Sequence, residues 1–192
     1  MGPPGTGKTT TLLNEVDKAL ESGIEPERIA YLSFTKKATE EAVSRAKEKF
    51  PRLDAKKFKY FRTIHSLAYM LLGISPEQVM RQKDYDVVAN KLGLKINLAR
   101  SVNQDQESKH TPGDKCLRAY SLHRSTGKPI EEVFRALDTE YQRECTVGKV
   151  VAFVQTLDAF KKQFNLLDFN DFIENCQKQI DVDLFIVDEA QI

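Results

Sequence analysis

Gly2-Pro3-Pro4-Gly5-Thr6-Gly7-Lys8-Thr9 satisfies G-x-x-x-x-G-K-[ST] at every fixed position, the phosphate-binding P-loop. Glycines at this spacing let backbone N–H groups turn inward around a polyphosphate with no Cβ in the way. Lys8 is placed to reach the β- and γ-phosphates, and the Thr9 hydroxyl to bind Mg²⁺. Gly2 through Thr10 are thus the candidate nucleotide-binding residues. A helix should follow, its positive N-terminal end turned toward the anion. Thr9 to Ser22 fits: Leu12, Leu13, Val16, Ala19 and Leu20 recur at helical spacing, and Gly23 stands where a C-cap glycine belongs. A P-loop joins a buried strand to its helix, yet Met1 alone precedes Gly2, so the leading strand is expected in a longer parent protein.

A hydrophobic content of 41% with 30% charged residues describes a globular chain. The net charge of +1 supplies no global attraction to nucleic acid, so such binding has to come from a local patch. No apolar run approaches the ~20 residues that span a bilayer. An N-terminus that opens on a P-loop is no signal peptide, so an intracellular, cytoplasmic setting is expected. Cys116, Cys145 and Cys176 lack C-x-x-C spacing and read as ordinary thiols of a reducing compartment. His65, His110 and His123 lack metal-ligand spacing, which predicts no zinc site.

Downstream, Ile29-Ala30-Tyr31-Leu32-Ser33-Phe34 is an apolar run short enough for a buried strand. A helix follows with Ala38, Ala42, Val43, Ala46 and Phe50 on one side, stopped by Pro51. Lys56 to Arg62 alternates charged and aromatic residues, predicting a strand with a basic face; after Thr63-Ile64-His65-Ser66, a helix through Leu67, Ala68, Leu71 and Leu72 ends at Gly73. On these residues alone His65 reads as a capping or core histidine. From Ser75 the texture becomes helical. Ser75-Pro76-Glu77-Gln78 offers an N-cap, Pro at N1 and a capping-box Gln, predicting a helix toward Leu92. Arg100 to Lys115, with Pro112 and Gly113, reads as an exposed loop. Shorter helices are expected near Leu117–His123 and Ile130–Leu137, a stronger one through Val147–Phe160, and another opening at Leu166–Ile173. No strand pattern appears between Gly73 and Leu166.

The chain closes on Asp183-Leu184-Phe185-Ile186-Val187-Asp188-Glu189-Ala190-Gln191-Ile192. A buried apolar strand ending in two adjacent carboxylates is the second thing a P-loop enzyme needs. Asp188 would hold Mg²⁺, directly or through water, and Glu189 would polarise the attacking water.

In that order, these pieces resemble the first motor domain of a superfamily 1 DNA helicase, closest to the UvrD/Rep type. Gly2 to Thr9 matches motif I. Phe34-Thr35-Lys36-Lys37-Ala38 resembles motif Ia, F-T-N-K-A, with Lys36 in place of Asn. Thr63-Ile64-His65-Ser66-Leu67 resembles T-F-H-S-L, and Leu167 to Phe172 resembles L-D-F-D-D-L. Val187-Asp188-Glu189-Ala190-Gln191 matches motif II in its D-E-x-Q form, with Ile192 where an Asp often follows. The resemblance implies an α/β fold: a RecA-like P-loop NTPase parallel sheet (subdomain 1A, residues 1–72 plus 166–192) carrying a mainly helical insertion (1B, residues 73–165). It implies ATP and Mg²⁺ as ligands, with Lys8, Asp188, Glu189 and Gln191 catalytic, and Gln191 sensing the γ-phosphate. Thr9 and Asp188 would be the metal ligands. Phe34, Thr35, Lys36, Thr63 and His65 would contact single-stranded DNA at a duplex junction; an aromatic can stack on a base while hydroxyls and lysine hold phosphates.

It further implies an ATP-driven 3′→5′ translocase whose second motor domain (2A/2B) and arginine fingers lie beyond this chain, the isolated chain turning over ATP barely or not at all. Three alternatives stay open. An AAA-type ATPase writes its P-loop the same way but places its acidic strand end much closer to the lysine. A non-catalytic nucleotide- or DNA-binding module is the second. The 5′→3′ RecD/Dda branch is the third, and the Leu167–Phe172 element and Gln191 speak against it.

Overall fold

The computed structural model describes residues 8–98, 110–137 and 139–188. The chain divides into two compact units, one of residues up to Gly73 together with those from Phe172 onward, the other Ile74–Asp171.

The first unit is built on β1 (Ile29–Ser33), every residue of which is buried. Burial on both faces calls for an uninterrupted apolar run, the signature of a central parallel strand. β1 pairs in parallel with β2 (Tyr60–Thr63) on one side and β3 (Leu184–Val187) on the other, giving the order β2-β1-β3. Parallel neighbours need crossovers, and α1 (Lys8–Glu21) and α2 (Lys36–Lys49) lie against one face. Leu13 and Val16 of α1 and Ala42 and Ala46 of α2 pack with Ile29, Tyr31, Phe61 and Ile186 in one core. The two alanines let α2 approach the sheet closely. Asp17, nearly buried, ties the helices together through Arg45 at 3.5 Å and Lys49 at 3.3 Å. Beyond α1, Gly23 adopts φ +90°, a conformation that side chains resist. α3 (Ile64–Leu72) ends the same way, on Gly73 at φ +68°.

Two expectations in this unit need correction. The strand predicted from Lys56 begins only at Tyr60, because Ala55–Lys57 form a 3₁₀ turn. The Asp54 carboxylate accepts from Lys56 N at 2.9 Å, a local bond that competes with a sheet ladder. Phe58 and Phe61 then meet edge to face at 4.9 Å, a three-residue spacing foreign to a strand. β3 was expected to be buried throughout. Ile186 is buried, but Phe185 is 52% exposed, because β1 is the single neighbour that β3 has among the described residues.

The second unit holds α4 (Gln82–Asn90), α5 (Pro112–Thr126), α6 (Ile130–Ala136), α7 (Thr139–Glu144) and α8 (Val147–Phe164). The helix α9 (Phe169–Asn175) leads out of it. Its core gathers Tyr85, Val88, Cys116, Tyr120, Val150, Phe153 and Leu157.

The helix expected from Ser75 is a 3₁₀ turn over Pro76–Gln78. Gln78 does reach back to Ser75 N at 3.1 Å, but the chain then extends and Val79 bridges Leu167 in parallel. Met80 N donates to Leu167 O at 2.9 Å and Leu167 N to Gln78 O at 2.7 Å. This long-range pairing overrides the local helix signal and delays α4 to Gln82.

The loop expected over Arg100–Lys115 also changes at its end; residues 100–109 lie outside the described ones. Thr111 is the N-cap of α5, Pro112 sits at N1, and Asp114 closes a capping box. Gly113 is in the helix because a Cβ there would stand 2.2 Å from Lys95 O. Both residues that signal a turn elsewhere here serve a helix start and a close crossing.

Buried among these helices is an ionic knot. Lys161 Nζ reaches Asp168 Oδ2 and Asp171 Oδ2, each at 2.8 Å, and Tyr120 Oη at 2.7 Å. Arg124 adds 2.9 Å to Asp171 Oδ1. Two cations face two carboxylates, and further backbone N–H groups donate to both acids, so the desolvated charges are compensated. Burial, the largest single influence, opposes ionisation of Asp171, but the hydrogen bonds from Lys161, the Asp168 backbone N–H and Arg124, with the Lys161 charge, together outweigh it and hold that carboxyl below its usual range.

Candidate functional site

All three strands point the same way, so their C-terminal ends form one edge, the place where open parallel α/β sheets present ligand sites. The ladder between β1 and β3 begins with Asp183 N donating to Arg28 O at 2.8 Å and ends with Asp188 N donating to Leu32 O at 2.7 Å. Asp188 is therefore held in register one residue beyond β3, with its carboxylate almost fully buried. Tyr31 Oη donates to Asp188 Oδ2 at 2.7 Å. Thr9 Oγ1, in the first turn of α1, stands 3.5 Å from the same carboxylate oxygen.

A hydroxyl and a carboxylate are hard oxygen donors of the kind Mg²⁺ selects. In octahedral coordination adjacent ligand oxygens stand about 2.9 Å apart, so Thr9 and Asp188 fit such an ion with a small approach. Among the described residues no group of three or more His, Cys, Asp or Glu could hold a metal by itself. The pair instead suits the usual Mg²⁺ mode, one or two protein oxygens plus substrate phosphates and water. The N-terminal turn of the 14-residue α1 also presents its free N–H groups and positive dipole end here. Thr10 is exposed beside Thr9. Gly2, Pro3, Pro4, Gly5, Thr6 and Gly7 lie outside the described residues, as do Glu189, Gln191 and the side chain of Lys8.

The other expected cluster forms along the same edge. Ser33 and Thr63 are register partners, so Phe34–Thr35 and Ile64–His65 leave adjacent strand ends. Phe34 is 74% exposed and Ile64 is 42% exposed. Thr35 Oγ1 accepts from Ala38 N and Thr63 Oγ1 from Ser66 N, each at 3.2 Å. Both threonines thus cap helices, while their O–H groups remain able to donate. Lys36 pairs with Glu40 at 3.3 Å on the exposed face of α2. His65 is exposed at the start of α3, and partial desolvation of its ring lowers its pKa below the ordinary histidine value, favouring the neutral imidazole at pH 7.

Sequence reasoning missed Tyr31. The available signal was a tyrosine in the middle of a buried strand, whose hydroxyl needs a partner. Identifying that partner requires the register between β1 and β3, which the sequence does not print.

A parallel sheet whose strand-end carboxylate faces the hydroxyl of the helix following G-x-x-x-x-G-K-T defines a P-loop nucleotide-binding protein of the RecA-like α/β class. The UvrD/REP helicase N-terminal domain family matches residues 1–191. The chain belongs to that family, and is a helicase-type ATP-binding motor domain. Among curated proteins, sequence comparison finds none that matches. Among the described residues no helix is long and apolar enough to cross a membrane.

Proposed function

We propose that this domain couples ATP hydrolysis to 3′→5′ movement on single-stranded DNA, as part of a helicase acting at duplex junctions. The observation that carries the proposal is the meeting of Thr9 and Asp188. Lys8 binds the β- and γ-phosphates, and Thr9 and Asp188 would hold Mg²⁺. Bound there, the ion would supply positive charge to offset that developing on the phosphates. Glu189 polarises the attacking water, and Gln191 senses the γ-phosphate.

Phe34 stacks on a base, and Thr35, Lys36, Thr63 and His65 contact the adjoining backbone. The exposure of Phe34 and the shared strand-end edge support this reading. On this reading residues 1–72 and 166–192 form subdomain 1A and residues 73–165 the 1B insertion; the separate compact unit Ile74–Asp171 supports an insertion of about that extent. Turnover requires a second motor domain contributing arginine fingers, worth about 10³ to 10⁵ in rate in related P-loop enzymes.

The test is binding of a fluorescent ATP analogue to this chain with and without Mg²⁺, repeated on Lys8→Ala, followed by DNA-stimulated ATP turnover in the complete polypeptide. Mg²⁺-dependent binding lost in Lys8→Ala and turnover stimulated by single-stranded DNA are expected. Nucleotide binding indifferent to Lys8 would overturn the assignment of the ATP site, and turnover indifferent to DNA would overturn that of the motor.

A further inference from the structure

Asp188 is 5% exposed, and among the described side chains no cation pairs with it. A buried carboxylate in that position needs hydrogen-bond donors to hold one orientation. Its own backbone N–H is committed to Leu32 O. Among the described residues, the donor that reaches its side chain at short range is the Tyr31 hydroxyl, 2.7 Å from Oδ2. That hydroxyl has little freedom to turn elsewhere. Tyr31 is fully buried at the centre of β1, and its ring stacks on Phe61 of β2 at 5.7 Å with an interplanar angle of 23°.

We propose that Tyr31 is a positioning residue for the metal-binding carboxylate, acting through its hydrogen bond to Asp188 and touching neither metal nor nucleotide. By occupying one lone pair of Oδ2, Tyr31 fixes the plane of the carboxylate so that the group faces Thr9 before a ligand arrives. Hydrogen bonds from an outer layer to ligating carboxylates work this way in metal sites, and their loss typically costs about 10- to 100-fold in metal affinity. The inference rests on the reading of Thr9 and Asp188 as the Mg²⁺ site and names the residue that holds that site ready.

Tyr31→Phe removes one oxygen and keeps the ring stacked on Phe61. The measurement is Mn²⁺ binding, by loss of the free-ion electron paramagnetic resonance signal, in the presence of a non-hydrolysable ATP analogue. Nucleotide binding in EDTA is measured alongside it. Tyr31→Phe should weaken Mn²⁺ binding about tenfold or more and leave metal-free nucleotide binding unchanged. A purely structural tyrosine would lower the unfolding midpoint with Mn²⁺ affinity within twofold of wild type, and that result overturns the proposal. Asp188→Asn separates the two levels of the argument. If it leaves Mn²⁺ binding intact, the metal-site reading itself fails. If it abolishes binding while Tyr31→Phe does not weaken it, only the role of Tyr31 fails.

Should Tyr31→Phe not fold, 3-fluorotyrosine placed at position 31 keeps the hydroxyl and supplies a ¹⁹F signal. That signal must move when Mg²⁺ joins the nucleotide complex; indifference to the metal overturns the proposal.

Discussion

Thr9 Oγ1 and Asp188 Oδ2 stand 3.5 Å apart although 179 positions separate the residues in sequence. The first is fixed by the start of α1 and the second by the end of β3, so their meeting is a property of the sheet. Residues 74–171 intervene in the chain as a unit of their own. The ordered sheet, rather than closeness in sequence, makes the candidate site.

Ser33 closes β1 with 1% exposure, and its hydroxyl has no hydrogen-bond partner among the described residues. A buried unsatisfied hydroxyl costs roughly 1–3 kcal/mol. Ser33→Ala should therefore stabilise the ligand-free protein by about 1 kcal/mol, measured by urea denaturation. A loss of stability would show that the hydroxyl is satisfied in solution.

Gly113 lies where α5 crosses the backbone of Lys95, and an added Cβ would also come within 2.8 Å of Ile96 Cγ1. Gly113→Ala should cost about 1–3 kcal/mol through overpacking, against the usual benefit of Ala over Gly within a helix. Thermal unfolding of the variant decides between these opposing effects.

The ionic knot around Lys161 makes stability depend on pH. The folded pKa of Asp171 is depressed, so its contribution is present at neutral pH. It fades as pH falls below the unfolded value of about 4 and is gone below the folded value. Urea midpoints followed from pH 7 to pH 3 should fall steeply for wild type and less steeply for Asp171→Asn. The variant should be less stable at pH 7, because Lys161 and Arg124 each lose a charged partner.

Phe34 is exposed enough that truncation should spare the fold. On the proposed function, Phe34→Ala weakens binding of a fluorescent single-stranded oligonucleotide by about 1–3 kcal/mol, one base stack. ATP-analogue affinity should not change. Equal loss of both would assign Phe34 to folding instead.

The parts legible in the sequence are those written by short-range pattern. The apolar spacing of Leu13, Val16 and Ala19 announces α1, and the run from Ile29 announces β1. The glycine–lysine–threonine loop and the strand-end acids nominate Thr9 and Asp188 because each motif carries its own chemistry. What escaped reading depends on contacts between distant segments. Val79 leaves the helix its capping box invites because Leu167 offers a pairing edge. Pro112 and Gly113 read as a turn until Lys95 is seen to cross them. The Tyr31 bond needs strand register, and the Lys161 knot needs three helices in place.

The most direct test of the central claim is a double-mutant cycle on Mg²⁺-dependent binding of the fluorescent ATP analogue, using Thr9→Ala, Asp188→Asn and both together. If the two residues hold one ion, each single change removes most of the Mg²⁺-dependent increment and the double variant is little worse than either. The coupling should fall within the roughly 0.5–3 kcal/mol seen for residues in direct contact. Mg²⁺ dependence that survives in Asp188→Asn, or losses that simply add, would contradict the claim that Thr9 and Asp188 form one metal-binding pair.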